Sequence, residues 1–128
     1  MIWTPRIADV FLVYRTIYGA DPEIRDAGLL QSSITRPTIT LFGEEQYASI
    51  DLKAAALLDS LCRNHALVDG NKRCAWIAVR LLYFRNDRRT WTLGDDAAYD
   101  LIIEASSAHL DVDRLAQRLR DGFTAPAP

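Results

Sequence analysis

An all-α helical bundle is the fold class this sequence predicts. Three observations carry that prediction. Apolar residues recur at three- and four-residue spacing in several separate segments, the period of one helix face. A long apolar run from Cys74 to Phe84 follows a turn-forming Asp69-Gly70, which predicts a central apolar helix over about 70–85. Only Thr38 to Phe42 shows clear polar–apolar alternation with β-branched residues, so a short extended flap over about 38–42 is the one strand-like piece expected.

Thr4-Pro5 reads as a helix start, with threonine as cap and proline in the first turn. Ile7, Val10, Phe11, Tyr14 and Ile17 then follow at helical spacing, and Gly19 ends the helix. Ile24-Arg25-Asp26 leads into a shorter helix carrying Leu29, Leu30 and Ile34, which Pro37 stops. After the flap, Glu44 to about Tyr47 has the composition of one helical turn. Ile50 to Asn64 is rich in alanine and leucine and strongly helical. A loop over Ala66 to Asp69 precedes the apolar helix, which Asn86-Asp87 ends. Trp91-Thr92-Leu93 reads as a brief extended piece. Helices over about Asp95 to Ala108 and Val112 to Arg120 complete the bundle, and Thr124 to Pro128 reads as a frayed tail.

The chain has 128 residues, 49% of them apolar, which predicts one domain over 1–128 with one substantial core. The formal net charge is −2, with acids and bases interspersed, so direct nucleic-acid binding is not expected. No apolar run approaches the roughly 18 residues of a membrane span. The first residues lack the charged and apolar regions of an export signal, and two cysteines make no disulfide framework. A cytoplasmic location is therefore expected.

The chemistry concentrates in His65 to Arg73. With Asp69 as cap, Gly70, Asn71, Lys72 and Arg73 would form the first turn of the apolar helix. The N–H groups there have no partner inside the helix, and the helix dipole adds positive potential. Lys72 and Arg73 oppose that dipole, a conflict that a bound phosphate would remove. Gly70 would let the ligand approach the backbone. Taken alone, this turn reads equally well as a capped helix with solvated cations. His65, four residues before Asp69, shifts the balance. A neutral imidazole is suited to taking a proton from an attacking hydroxyl, and Asp69 offers oxygen to a hard cation such as Mg²⁺. Together these roles describe group transfer from a nucleotide to a hydroxyl.

The run His-x-x-x-Asp-Gly-Asn-Lys-Arg resembles the signature of the Fic/Doc superfamily, and of its Doc branch in particular. The resemblance extends upstream through Arg25-Asp26, Leu29-Leu30, Arg36-Pro37, the alanine-rich helix from Lys53 and Leu61-Cys62-Arg63-Asn64. Downstream it runs into the apolar helix, so that it spans roughly residues 20 to 90. It implies an all-helical Fic fold whose flap aligns a target polypeptide by strand addition. It implies His65 as general base, Asp69 as Mg²⁺ ligand, and Asn71, Lys72 and Arg73 around the nucleotide phosphates. Gly70 would supply part of the backbone anion pocket. Arg63 would assist with phosphate, or else be a cation favoured at a helix C-terminus. Most Fic enzymes transfer AMP and carry glycine where Lys72 stands. Lysine there, as in Doc-like proteins, implies a reversed ATP that presents its γ-phosphoryl group, with Lys72 a catalytic cation. The implied activity is that of a toxin kinase acting on a threonine of elongation factor Tu and arresting translation. A Phd-like antitoxin is the implied partner. The alternatives are AMP transfer to a protein hydroxyl and a toxin that acts by binding alone. The sequence departs from the pattern at Leu67 (phenylalanine is usual), at Cys74 (threonine is common) and at Ile77 (polar in some Doc proteins).

Other candidates read as structural. Cys62 and His65 have metal-like spacing but no further ligands in evidence, and both cysteines read as small buried hydrophobes. His109 stands alone and reads as exposed. Trp3, Trp76 and Trp91 read as core or half-buried anchors. Thr40 and Glu44 match the spacing of the inhibitory Ser/Thr-x-x-x-Glu helix of some Fic proteins, a match read as chance because the segment looks extended.

Overall fold

Asp9, not Thr4, sets the first helix. Its carboxylate accepts the Arg6 backbone N–H at 2.9 Å, so α1 runs Ile7–Tyr18 and Pro5 lies before it. That bond, with the Arg6 side chain, holds the Asp9 carboxyl below its usual range. The computed structural model describes residues 1–107 and 110–126; His109 and the end of the helix expected to reach Ala108 lie outside the described residues. Gly19, at φ +90°, closes α1 as expected.

Asp26 caps α2 (Ala27–Thr35) by accepting from the Leu29 N–H. Pro37 does not stop the chain's winding there. It sits buried inside a 3-10 turn over Arg36–Thr38, because proline's fixed φ suits the start of such a turn. The flap is therefore shorter than expected and is one arm of a hairpin. β1 (Thr40–Leu41) pairs antiparallel with β2 (Glu44–Glu45), Thr40 opposite Glu45 and Leu41 opposite Glu44. Phe42 and Gly43, at φ +52° and +81°, form the two-residue turn that suits strand twist. The helical turn expected from Glu44 to Tyr47 is thus absent: pairing with β1 overrides the weak helical preference of two glutamates. Thr40 and Glu44 stand on opposite strands, as the reading of chance spacing requires.

Ser49 caps α3 (Ile50–Arg63), where residues 53–62 are all buried. α4 runs Asn71–Asp87 and packs along α3. Burial places the centre of the bundle closer to α3 than the apolar run suggests, since Arg80, Phe84 and Arg85 of α4 reach solvent. α4 ends at Asp87, at the expected Asn86-Asp87 stop. The Asn86 side chain also accepts from the Trp3 N–H and donates to the Trp3 and Leu82 carbonyls, so it ties the N-terminus to the end of the helix. Arg88, at φ +60°, is the cap.

β3 (Thr90–Trp91) follows, then α5 (Gly94–Ser106), α6 (Val112–Gly122) and β4 (Phe123–Thr124). β3 and β4 pair antiparallel, Trp91 opposite Phe123. The extended piece at Trp91 is present, and the expected frayed tail begins instead as a strand. Phe123 anchors it: its ring stacks on Tyr83 at 4.1 Å and meets Trp76 and Trp91 at 5.5 and 5.4 Å. The core draws on all six described helices, from Val10 and Leu30 through Leu57, Leu58 and Val79 to Leu101, Leu115 and Leu119. No described helix is long and apolar enough to cross a membrane.

Candidate active site

The site is built on the connection between α3 and α4. Ala66 and Leu67 turn into the core and are buried, so leucine anchors the loop where phenylalanine is usual. The loop is stitched to the segment before α2. Arg25 and Asp26 donate their backbone N–H groups to the Ala66 carbonyl at 2.8 and 3.0 Å, and Val68 donates to the Glu23 carbonyl at 2.9 Å. The Arg25 guanidinium grips the His65 carbonyl oxygen through Nε at 2.8 Å and through Nη2. His65 itself stands at φ +50°, a conformation that costs a non-glycine residue energy and persists only when its surroundings enforce it. Arg25 and the Ala66–Leu67 anchor supply that enforcement, and the imidazole is left exposed.

Asn71 fixes the other end of the loop. Its Oδ1 accepts from the Leu67 N–H and its Nδ2 donates to the Leu67 carbonyl, both at 3.0 Å. The side chain is thus committed to backbone, and the group it leaves toward a ligand is its own N–H. The cap of α4 is Gly70 rather than Asp69. Asp69 accepts from the Gly70 N–H at 2.9 Å instead, because Gly70 at φ +88° swings the carboxylate out of capping reach. No side chain caps α4, so the N–H groups of Asn71, Lys72 and Arg73 have no acceptor among the described residues. Gly70 matters for a further reason. A Cβ there would lie 2.7 Å from the Tyr14 hydroxyl and 3.1–3.2 Å from its ring. The space on the Cβ side of that glycine is filled by Tyr14 of α1.

Tyr14 and Tyr18 on α1 hold Arg73. Its guanidinium lies over the Tyr18 ring, 4.7 Å from the centroid, and the nearby Tyr14 hydroxyl raises the arginine above its ordinary value. The two rings are 4.6 Å apart. The sequence shows both tyrosines only as part of an amphipathic helix. Their four-residue spacing, which puts two phenols on one face, was the available signal.

His65, Asp69, Gly70, Asn71, Lys72 and Arg73 line one cavity of about 240 Å³, together with Cys62 and Val68. Arg63 does not line it. It pairs with Asp59 at 3.4 Å and faces a separate cavity beside the flap. The flap is braced from below. Lys53, buried on α3, donates to the Pro37 carbonyl at 3.2 Å and to Glu45 Oε1 at 2.9 Å, and Arg36 Nε donates to the Tyr47 hydroxyl at 3.1 Å.

No group of three or more His, Cys, Asp or Glu that could hold a metal occurs among the described residues. Asp69 is the one carboxylate of the cavity lining, and Gly70 engages only its Oδ1. That fits a magnesium ion bound mainly through substrate phosphates, which needs one or two carboxylates, and does not fit an all-protein metal cage. Cys62 and Cys74 are buried, and burial pushes their thiols up to about 11 and about 12, away from the thiolate form a nucleophile needs.

Two comparisons bear on this arrangement. The model of the Fic/DOC family matches residues 7–83, from α1 through most of α4. A curated protein named Toxin Doc, from Mycolicibacterium smegmatis, is 41% identical over 120 residues, which cover 93% of this chain and 92% of that protein.

Proposed function

The chain belongs to the Fic/DOC family, and on that premise we propose that it is the toxin of a toxin–antitoxin pair. Its activity is that of a protein kinase, which passes the γ-phosphoryl group of ATP to a threonine of elongation factor Tu and so arrests translation. One observation carries the reading: a base, a carboxylate and two cations share a single cavity at the uncapped start of α4. The whole of residues 1–128 acts as one domain, in the cytoplasm where that target works, and a Phd-like antitoxin holds it inactive.

In this reading the target strand lies along the flap and sets its threonine before His65. His65 takes the hydroxyl proton, the threonine oxygen bonds to the γ-phosphorus, and the bond to the β-bridging oxygen breaks so that ADP leaves. The imidazolium then releases its proton to solvent. Lys72 and Arg73 meet the charge on the phosphates, with Arg73 fixed in advance by its tyrosines. The free N–H groups of Asn71, Lys72 and Arg73 donate to phosphate oxygens, and Asn71 keeps the histidine loop in register. Asp69 would hold Mg²⁺, which when bound offsets phosphate charge and orients the transferring group.

Intact-mass spectrometry of purified elongation factor Tu, after incubation with the chain and Mg²⁺–ATP, tests this. One added phosphoryl group is expected, and His65→Ala abolishes both the modification and growth arrest. An added adenylyl group would replace phosphoryl with AMP transfer, and an unmodified factor would overturn the assignment of target. Lys72→Gly is expected to weaken phosphoryl transfer and to admit AMP transfer, since the lysine is what favours the reversed nucleotide.

A further inference from the structure

Arg63 and Arg36 meet across α3 at the root of the flap. Both pair with the single carboxylate of Asp59, Arg36 at 2.7 Å and Arg63 at 3.4 Å. Two guanidiniums on one carboxylate leave a net positive charge. The arginines also retain unused donors. Arg63 engages only Nη1, and Arg36 Nη2 bonds to nothing among the described residues. These donors border a cavity of about 460 Å³, which Ser32, Ile39 and Asn64 complete. Among the described residues Asp59 is the only acid in its lining, and it is already shared. Ile39 is half exposed and immediately precedes β1. Arg63 stands two residues before His65. A polypeptide paired along the free edge of β1 would therefore pass this cavity on its way to the histidine.

We propose that the cavity is a docking subsite for an acidic side chain of the target polypeptide, a few residues from the accepting hydroxyl, with Arg63 as the chief specificity determinant and Arg36 as its fixed partner. The proposal rests on the reading of the flap as a target-aligning strand. The chemistry follows from charge complementarity: a planar guanidinium with open donors gives a carboxylate two parallel hydrogen bonds, and an amide of the same shape lacks the carboxylate's charge. Arg36 is locked to the Ala56 carbonyl, Tyr47 and Asp59, so the subsite keeps its shape as the target arrives. Lys53 braces the neighbouring hairpin by bonds to Glu45 of β2 and to the Pro37 carbonyl in the turn that leads into β1.

Two measurements decide the matter. In the first, neutral threonine-centred peptides carrying one glutamate, moved through each position, are titrated onto the ¹⁵N-labelled chain beside their glutamine counterparts. The glutamate peptide is expected to bind about three- to tenfold more tightly at one or two positions on one side of the threonine, with shifts in the Arg63 and Arg36 side-chain resonances. Arg63→Gln is expected to erase that preference and Arg63→Lys to restore part of it. Equal affinities at every position overturn the proposal. In the second, kinetics with elongation factor Tu are expected to show that Arg63→Gln raises KM for the protein about fivefold and leaves KM for ATP unchanged. A rise in KM for ATP alone would assign Arg63 to the nucleotide and overturn the subsite. A native chain that leaves the factor unmodified counts against the proposed target, and the peptide titration then decides the subsite by itself.

Discussion

Replacing Gly70 with alanine should cost stability through two separable effects. The first is conformational: at φ +88° an L-residue is strained by about 1–2 kcal/mol. The second is steric. The new methyl would sit 2.7 Å from the Tyr14 hydroxyl and 3.1–3.2 Å from its ring, and Tyr14 is buried in the core, so it cannot swing aside into water. Overpacking of this kind costs about 1–3 kcal/mol. The sum is about 2–5 kcal/mol, read as a lower urea midpoint at unchanged slope. Gly19 provides the control. It has φ +90° with nothing within 4 Å of its Cβ position, so Gly19→Ala carries the conformational effect alone. The double variant Gly70→Ala/Tyr14→Phe removes the shortest contact, and should lose less relative to Tyr14→Phe than Gly70→Ala loses relative to the native chain. If Gly70→Ala costs no more than Gly19→Ala, the argument that α1 occupies the glycine's space is wrong.

Three further outcomes follow from the geometry. Asn71→Ala leaves the buried Leu67 N–H and carbonyl without partners and should destabilise by about 1–3 kcal/mol, with faster hydrogen exchange at the Leu67 amide. Gly122→Ala places a methyl 2.0 Å from the Trp91 ring, so the β3–β4 pair should open, and the loss should appear as a red-shifted tryptophan emission before global unfolding. Cys62 and Cys74 should resist a thiol reagent at pH 8, where burial keeps both protonated, and should react fully in denaturant; fast labelling of the native chain would contradict their burial.

Much of the helical architecture is legible because each helix carries its own period and its own stop. Asp26, Ser49 and Gly19 cap where local chemistry says they should. The misreadings have a common cause in strand pairing, which a segment read by itself does not reveal. Glu44 and Glu45 look helical but pair with Thr40 and Leu41. Thr124 looks like a loose end but is a strand partner of Thr90. At the site, the contiguous stretch from His65 to Arg73 could be read directly, since one loop and one helix start bring it together. Tyr14 and Tyr18 are signalled only by their four-residue spacing, which does not by itself distinguish a tyrosine that holds a distant arginine from one that fills a core. Arg63 shows the limit from the other side: adjacent in sequence to the histidine loop, it points to a different cavity.

The grip of Arg25 on the His65 carbonyl spans 40 residues, and Tyr14 meets Gly70 across 56. The loop on which chemistry would occur therefore has no geometry of its own. α3, which carries it, is in turn covered by Leu115 and Leu119 of α6. A chain from which α6 is removed should therefore hold the histidine in no fixed pose, so competence belongs to the closed bundle and not to the loop.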